Sequence, residues 1–295
     1  MKFVEIKFID RKTGKMVVEN PPAEGLLKFL YDNPFGKTAI LPLAKRKIVS
    51  SYVGKRMYRK SSTKKIKNFV NQMNIDMSES VKSISEFSSF NDFFYRKLKP
   101  SARPIGEGFV SPGDGKLLAF ESPSEVHNFF VKGRKFTLAE FLNSEVLAEK
   151  HKNDALIILR LAPNDYHRFH FPYAGKVSNV TKVKGSYYSV SPYALAGNFA
   201  TVFCENKREH CTLTTADKGD VLLAPVGATM VGSILETFTP NTQIERGSEM
   251  GYFAFGGSTV VMLVDKSKVK IDSDLLENTK NKIETAVLMG EKIGV

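Results

Sequence analysis

The sequence predicts an α+β fold, a helical N-terminal layer on a β-rich body, and three features carry the prediction. Between Pro22 and Leu98 apolar residues recur at the three- and four-residue spacing of amphipathic helices. After Pro100 glycine and proline become frequent, and short runs of β-branched and apolar residues take over. No repeat or low-complexity linker separates the parts, so residues 1–100 and 101–295 are expected to pack as one compact unit.

Residues 1–15 alternate apolar and polar positions (Phe3, Ile6, Phe8, Asp10) and turn at Thr13-Gly14, which predicts a hairpin. Residues 22–31 carry Leu26, Leu27 and Leu30 on one helical face and stop at Asn33-Pro34. Residues 38–58 repeat the pattern with Leu41, Ala44, Ile48, Tyr52 and Val53. Pro42 lies near the first turn, where its missing N–H breaks no helical bond. Ser61-Ser62-Thr63 is placed to cap a helix bearing Ile66, Phe69 and Val70. Residues 85–98 hold Phe87, Phe90, Phe93, Phe94 and Leu98, an aromatic stripe that reads as a core face. In the body, strands are expected at 116–120, 126–131, 155–161, 176–184, 200–204, 221–224, 229–238, 243–246, 251–255 and 260–264, with a short capped helix at 137–143.

Hydrophobic content of 42% and charged content of 25% are ordinary for a globular chain, and no stretch approaches the ~18 apolar residues of a membrane span. The two cysteines, Cys204 and Cys211, flank what reads as a hairpin turn at 205–208 and are expected as reduced packing thiols. The net charge of +12 is concentrated: residues 33–75 contain eleven Lys or Arg and no Asp or Glu. Such a patch suits an anionic membrane surface, each basic residue contributing ~1 kcal/mol there, or it is a solvated face on core helices. Nucleic acid is disfavoured, because no helix-turn-helix, RNP or zinc-finger pattern accompanies the charge.

The chemistry-bearing residues lie in the body. Phe255-Gly256-Gly257-Ser258-Thr259 leads into an apolar run, and the glycines leave the Gly257 carbonyl unshielded beside the Ser258 hydroxyl. Pro112-Gly113-Asp114-Gly115 puts a carboxylate in a tight turn before a strand. Two of the five histidines, His167 and His170, fall three apart in Asp165-Tyr166-His167-Arg168-Phe169-His170-Phe171-Pro172. The pair lacks a His-Glu-x-x-His pattern or a neighbouring cysteine pair, so no metal is expected. His127, His151 and His210 are given no role. Asp114, a histidine of the pair and Ser258 make up the set that generates a serine alkoxide. The alkoxide could attack an external ester or peptide, or the Gly257 carbonyl of its own chain. An ordinary α/β hydrolase would want a second glycine where Val260 stands.

With those residues in view, the chain resembles the phosphatidylserine decarboxylase proenzymes. The resemblance rests on segment 165–172 together with Gly113-Asp114-Gly115, residues 184–190, Asn206-Lys207-Arg208, residues 247–253 and Gly257-Ser258-Thr259, in that order along the chain. One departure is Gly256, where many members have leucine. The resemblance implies that Ser258, activated by His170 and Asp114, attacks the Gly257 carbonyl and converts the peptide to an ester. Elimination then gives dehydroalanine, which hydrolyses to a covalent pyruvoyl group on the small chain 258–295. That chain stays associated with the large chain 1–257. The pyruvoyl ketone forms a Schiff base with the substrate amine, and His167 reprotonates the product. The resemblance further implies a β-rich catalytic body over 101–295 and a basic membrane-associating region over 1–100. It implies attachment to the cytoplasmic face of an anionic membrane without a spanning segment. A decarboxylase of a soluble amino acid and a Ser-His-Asp hydrolase are the alternatives. Lys184, Tyr187 and Arg208 are candidate phosphate contacts.

Overall fold

The structure, a computed structural model, describes residues 6–19, 54–129, 135–190, 192–228, 234–254 and 258–295, with single positions 25, 29, 33, 52 and 256. In chain order the strands begin β1 (Lys7–Asp10), β2 (Lys15–Val18), β3 (Phe109–Val110), β4 (Gly115–Phe120), β5 (Ala155–Leu161), β6 (Arg168–His170), β7 (Gly175–Val177) and β8 (Thr181–Val183). They continue β9 (Arg208–Thr214), β10 (Asp220–Gly227), β11 (Ile234–Glu236), β12 (Gln243–Ile244), β13 (Glu249–Phe253), β14 (Ser258–Val264), β15 (Glu284–Val287) and β16 (Lys292–Gly294). Eleven of them form one mixed sheet in the order β12-β7-β9-β10-β14-β5-β4-β15-β1-β2, with β8 also paired to β9. A smaller sheet, β11-β13-β6, carries His170, with His167 immediately before β6.

The central strands β5 and β14 are buried on both faces, so they read in sequence as near-continuous apolar runs. In β14, Val260, Met262 and Val264 enter a core with Leu159, Phe169 and Phe253 of the small-sheet side. Val261 and Leu263 enter a second core with Phe141, Phe199 and Phe203 on the helical side. That helical layer comprises α3 (Val126–Phe129), α4 (Leu138–Leu142), α5 (Glu145–His151) and α6 (Pro192–Glu205), while α7 (Ser273–Lys280) lies against β4. A third cluster joins Ile66 and Val70 of α1 (Ile66–Met73) to Met57, Phe87 and Phe90, Phe93 and Phe94 of α2 (Phe90–Phe94). The aromatic stripe is thus a core face, although only Phe90, Phe93 and Phe94 of it are α-helical.

Several expectations are corrected. Segment 126–131 is not a strand: a short 3-10 turn with Ser122 at its N-cap leads into α3, and residues 130–131 lie outside the described set. Segment 200–204 belongs to α6. Leu195, Phe199, Val202 and Phe203 are all buried, and a helix buried this thoroughly loses the polar stripe that would mark it. The cysteines therefore flank a helix-to-strand connection rather than a hairpin turn, and both are free thiols. Segment 176–184 splits into β7 and β8. Ser61-Ser62-Thr63 forms 3-10 helix and makes no cap; Ser62 Oγ donates to the Met57 and Arg59 carbonyls and accepts from the Phe90 N–H. The N-terminal hairpin is present as β1–β2, but β1 pairs in parallel with β15 and so extends the body's sheet. Of the basic region, residues 34–51 lie outside the described set, as do most of 22–31 and residues 229–233.

Candidate active site

Ser258 is the first residue of β14, paired with Leu161 of β5 and Gly227 of β10. Because strand side chains alternate, it shares the face of Val260 and Met262 and points toward the small sheet. Its hydroxyl is fully buried and makes no hydrogen bond. A buried unpaired hydroxyl costs on the order of 1–3 kcal/mol, which central-strand packing sustains here. Gly256 has φ +139°, a conformation essentially closed to side chains, so its glycine permits the backbone bend before β14. Gly257 lies outside the described residues.

The histidine segment is held from both ends. Asp165 accepts from Lys116 Nζ at 2.8 and 2.9 Å and from the Ala162 N–H at 2.7 Å, fixing the bend after β5. Beyond it, β6 pairs with β13, and the Phe253 N–H bonds the His167 carbonyl at 2.9 Å. Arg168 binds both oxygens of Glu249 and the Tyr95 carbonyl, and lies 4.9 Å from the Tyr252 ring centre. It thereby clamps the segment after α2 onto the small sheet.

His167 is completely buried, its ring 3.9 Å from that of Phe94. Nδ1 lies 2.9 Å from the Asp165 carbonyl, which can only accept, so Nδ1 carries the proton and Nε2 the lone pair. Nε2 has no hydrogen-bond partner. Burial takes the ring down to about 4, against the raising influence of the Asp165 and Gly256 backbone, and the Arg96 charge lowers it further. A neutral imidazole with a bare lone pair is therefore set beside the bend that leads to Ser258.

His170 is arranged alike. Nδ1 donates to the Gly247 carbonyl at 2.9 Å, and Nε2 accepts from the Tyr166 hydroxyl at 3.2 Å. Burial again depresses its pKa, while the Gly247 carbonyl, Glu249 and Asp114 act to raise it.

Asp114 stands apart from the arrangement expected of it. Its carboxylate binds Arg103 Nε and Nη2, the latter at 2.6 Å, and the Met289 N–H at 2.8 Å. Among the described residues it makes no hydrogen bond to either histidine. Gly247 and Asp165 carbonyls orient the two rings instead, and Asp114 reaches His170 only through its field. The turn itself is joined to the site, since the His170 N–H bonds the Pro112 carbonyl at 2.7 Å. Arg103 and Tyr166 carry no functional signal of their own in the sequence, and Phe94 reads there only as part of a core face. Tyr166, inside the histidine segment, is the most legible of the three.

The remaining histidines fall elsewhere: His151 bonds Asp154 and His210 bonds the Leu142 carbonyl on the helical side. Arg208 has its guanidinium on the Phe141, Asn206 and Glu140 carbonyls, and Lys184 is exposed. Among the described residues no cluster of three or more metal-ligating side chains occurs, and no helix is long and apolar enough to cross a membrane.

Comparison with known proteins adds an independent line. The family model described as phosphatidylserine decarboxylase matches residues 90–295. A phosphatidylserine decarboxylase proenzyme of Fusobacterium nucleatum is 52% identical over 297 residues, covering 100% of this chain and 99% of that one. Proenzymes so named from Desulfitobacterium hafniense and Clostridium botulinum are 45% and 44% identical, each covering 98% of both chains.

Proposed function

Since the chain belongs to the phosphatidylserine decarboxylase family, we propose that Ser258 first cuts its own backbone and then supplies the group that carries the decarboxylation. The activity is conversion of phosphatidylserine to phosphatidylethanolamine. The observation that supports this course is the Ser258 hydroxyl itself, buried at the start of β14 with no hydrogen-bond partner and directly after the bend at Gly256.

In the cleavage, an imidazole takes the Ser258 proton and the alkoxide adds to the Gly257 carbonyl carbon. The C–N bond breaks, the proton passes to the released amine, and residue 257 becomes the acyl part of an ester. Loss of the Ser258 α-proton expels that ester as the Gly257 carboxylate. Water then converts the dehydroalanine to a pyruvoyl group with release of ammonia. We assign the base to His170, assisted by the field of Asp114; the fixed Nδ1 proton leaves His170 Nε2 as the basic atom, and Tyr166 is placed to relay a proton there. The pyruvoyl ketone, once formed, supplies an acceptor for the electron pair left by departing carbon dioxide.

His167 serves the later step. With its Nδ1 proton held by a carbonyl, Nε2 is the atom that can take up a proton and deliver it to the substrate carbon once carbon dioxide has left. Phe94 covers one side of the ring and keeps water from it. Substrate is drawn from an anionic membrane, with the basic stretch 33–75 attaching the enzyme peripherally to the cytoplasmic face. Chains 1–257 and 258–295 remain together because β14 lies between β5 and β10 of the large chain.

Mass spectrometry of the denatured protein provides the test. Two masses corresponding to 1–257 and 258–295, the smaller lacking a free N-terminal amine, are expected, together with turnover of phosphatidylserine in vesicles. A single intact mass in active protein would refute the scheme and favour a serine hydrolase.

A further inference from the structure

Six cationic side chains are buried among the described residues: Arg96, Arg103, Lys116, Arg160, Arg168 and Arg208. Five have acceptors. Arg103 binds Asp114 and Glu79, Lys116 binds Asp165, and Arg160 lies between Glu19 and Glu284. Arg168 binds Glu249, and Arg208 binds three carbonyls. Arg96 is 6% exposed, makes no side-chain hydrogen bond or ion pair, and has a buried, unpaired Nε. Its guanidinium rests 5.3 Å from the Phe93 ring centre, which supports the charge but accepts none of the five N–H donors in their plane.

Position gives this residue its meaning. It follows Phe94, whose ring packs against His167, by two places, and its charge is close enough to act on the His167 ring. Asp114 and Asp165 balance the charge at longer range without bonding it. A buried guanidinium kept unbonded beside a reactive imidazole is a receptor for an anion that arrives from outside.

We infer that Arg96 holds the phosphodiester of the substrate headgroup, an inference that rests on the decarboxylase reading above. The headgroup carries two anions, a phosphodiester and a carboxylate. A cation bonded to the carboxylate would stabilise the starting state more than the transition state, in which that charge is leaving as carbon dioxide. The phosphodiester keeps its charge throughout, so binding it anchors the headgroup without opposing the reaction. A guanidinium fork also matches two phosphate oxygens.

The test compares mature wild type, R96Q and R96K on dihexanoyl phosphatidylserine, a dispersed substrate that removes membrane attachment from the measurement. Dihexanoyl phosphatidylethanolamine, which retains the phosphodiester and lacks the carboxylate, serves as competing ligand. For R96Q we expect KM to rise at least about tenfold and kcat to change less than about threefold, as for loss of a charge-assisted contact made equally in both states. Inhibition by the ethanolamine lipid should weaken by the same factor, and R96K should fall between. The thermal midpoint of R96Q should equal or exceed that of wild type, because an unpaired buried charge is removed. An unchanged KM with a lowered midpoint would make Arg96 structural and overturn the inference. A raised KM with unchanged inhibition by the ethanolamine lipid would place the carboxylate there and overturn it too. If R96Q does not mature, R96K carries the same comparison with a KM rise of about threefold or more. Failure of the decarboxylase reading shows separately, as a wild type that neither cleaves nor turns over phosphatidylserine.

Discussion

Acidification should expose the cost of burying His167. In the folded chain burial holds this ring to about 4, whereas an unfolded histidine titrates near ~6.5. Above pH ~6.5 the ring is neutral in both states and contributes no pH dependence. Between ~6.5 and 4 the unfolded chain binds the proton and the folded chain refuses it, so stability falls as pH falls. The loss runs at ~1.4 kcal/mol per unit over ~2.5 units, or about 3 kcal/mol by pH 4, beneath which the folded ring also protonates and the slope vanishes. The perturbation is His167→Asn in the Ser258→Ala proenzyme, a single chain whose unfolding is not complicated by cleavage. Asparagine places an amide N–H where Nδ1 donates to the Asp165 carbonyl, so the local fold is retained while the titration is removed. Urea unfolding at pH 7, 6, 5 and 4 reads the result. The asparagine variant should lose about 3 kcal/mol less than its parent between pH 7 and 4. If the two lose the same amount to within about 0.5 kcal/mol, the ring is not a buried neutral base and its assigned role falls with it.

Three further outcomes follow from the same geometry. Ser258→Ala should remain one chain of 32.9 kDa by denaturing mass spectrometry and show no decarboxylation, while His170→Ala should slow cleavage by at least ~100-fold and His167→Ala should still cleave but not turn over lipid. Phe94→Ala removes a fully buried ring packed against His167 and should cost about 3–5 kcal/mol in urea unfolding, with kcat falling alongside as the imidazole loses its wall. Co-sedimentation with anionic vesicles should weaken steeply between low and physiological salt; binding insensitive to salt would rule out the basic stretch 33–75 as the attachment.

Legibility varied with burial and sequence separation. The run 260–264 and segment 155–161 are readable as strands because both faces are covered and, Arg160 apart, every position is apolar. For the same reason 200–204 reads as a strand in sequence, since a well-buried helix end carries a similar run broken only by Thr201. The set Asp114, His167, His170 and Ser258 is a proposal drawn from residue types and from the resemblance. The acceptors that fix the two rings are not legible that way, because both are backbone carbonyls, and every residue has one. Arg103 and Arg96 looked like two more basic residues in a basic half, and only their partners separate them.

The sequence by itself determined the family and the residue types available for proton transfer, because these depend on chemistry that local motifs spell out. It also determined the charge asymmetry, a property of composition. Tertiary structure alone decided that Asp114 is held by Arg103, that both imidazoles carry their proton on Nδ1, and that Ser258, His167 Nε2 and Arg96 are buried without partners. Whether a polar group is paired depends on which of many acceptors folding brings within ~3 Å, and that is a property of pairs distant in the chain.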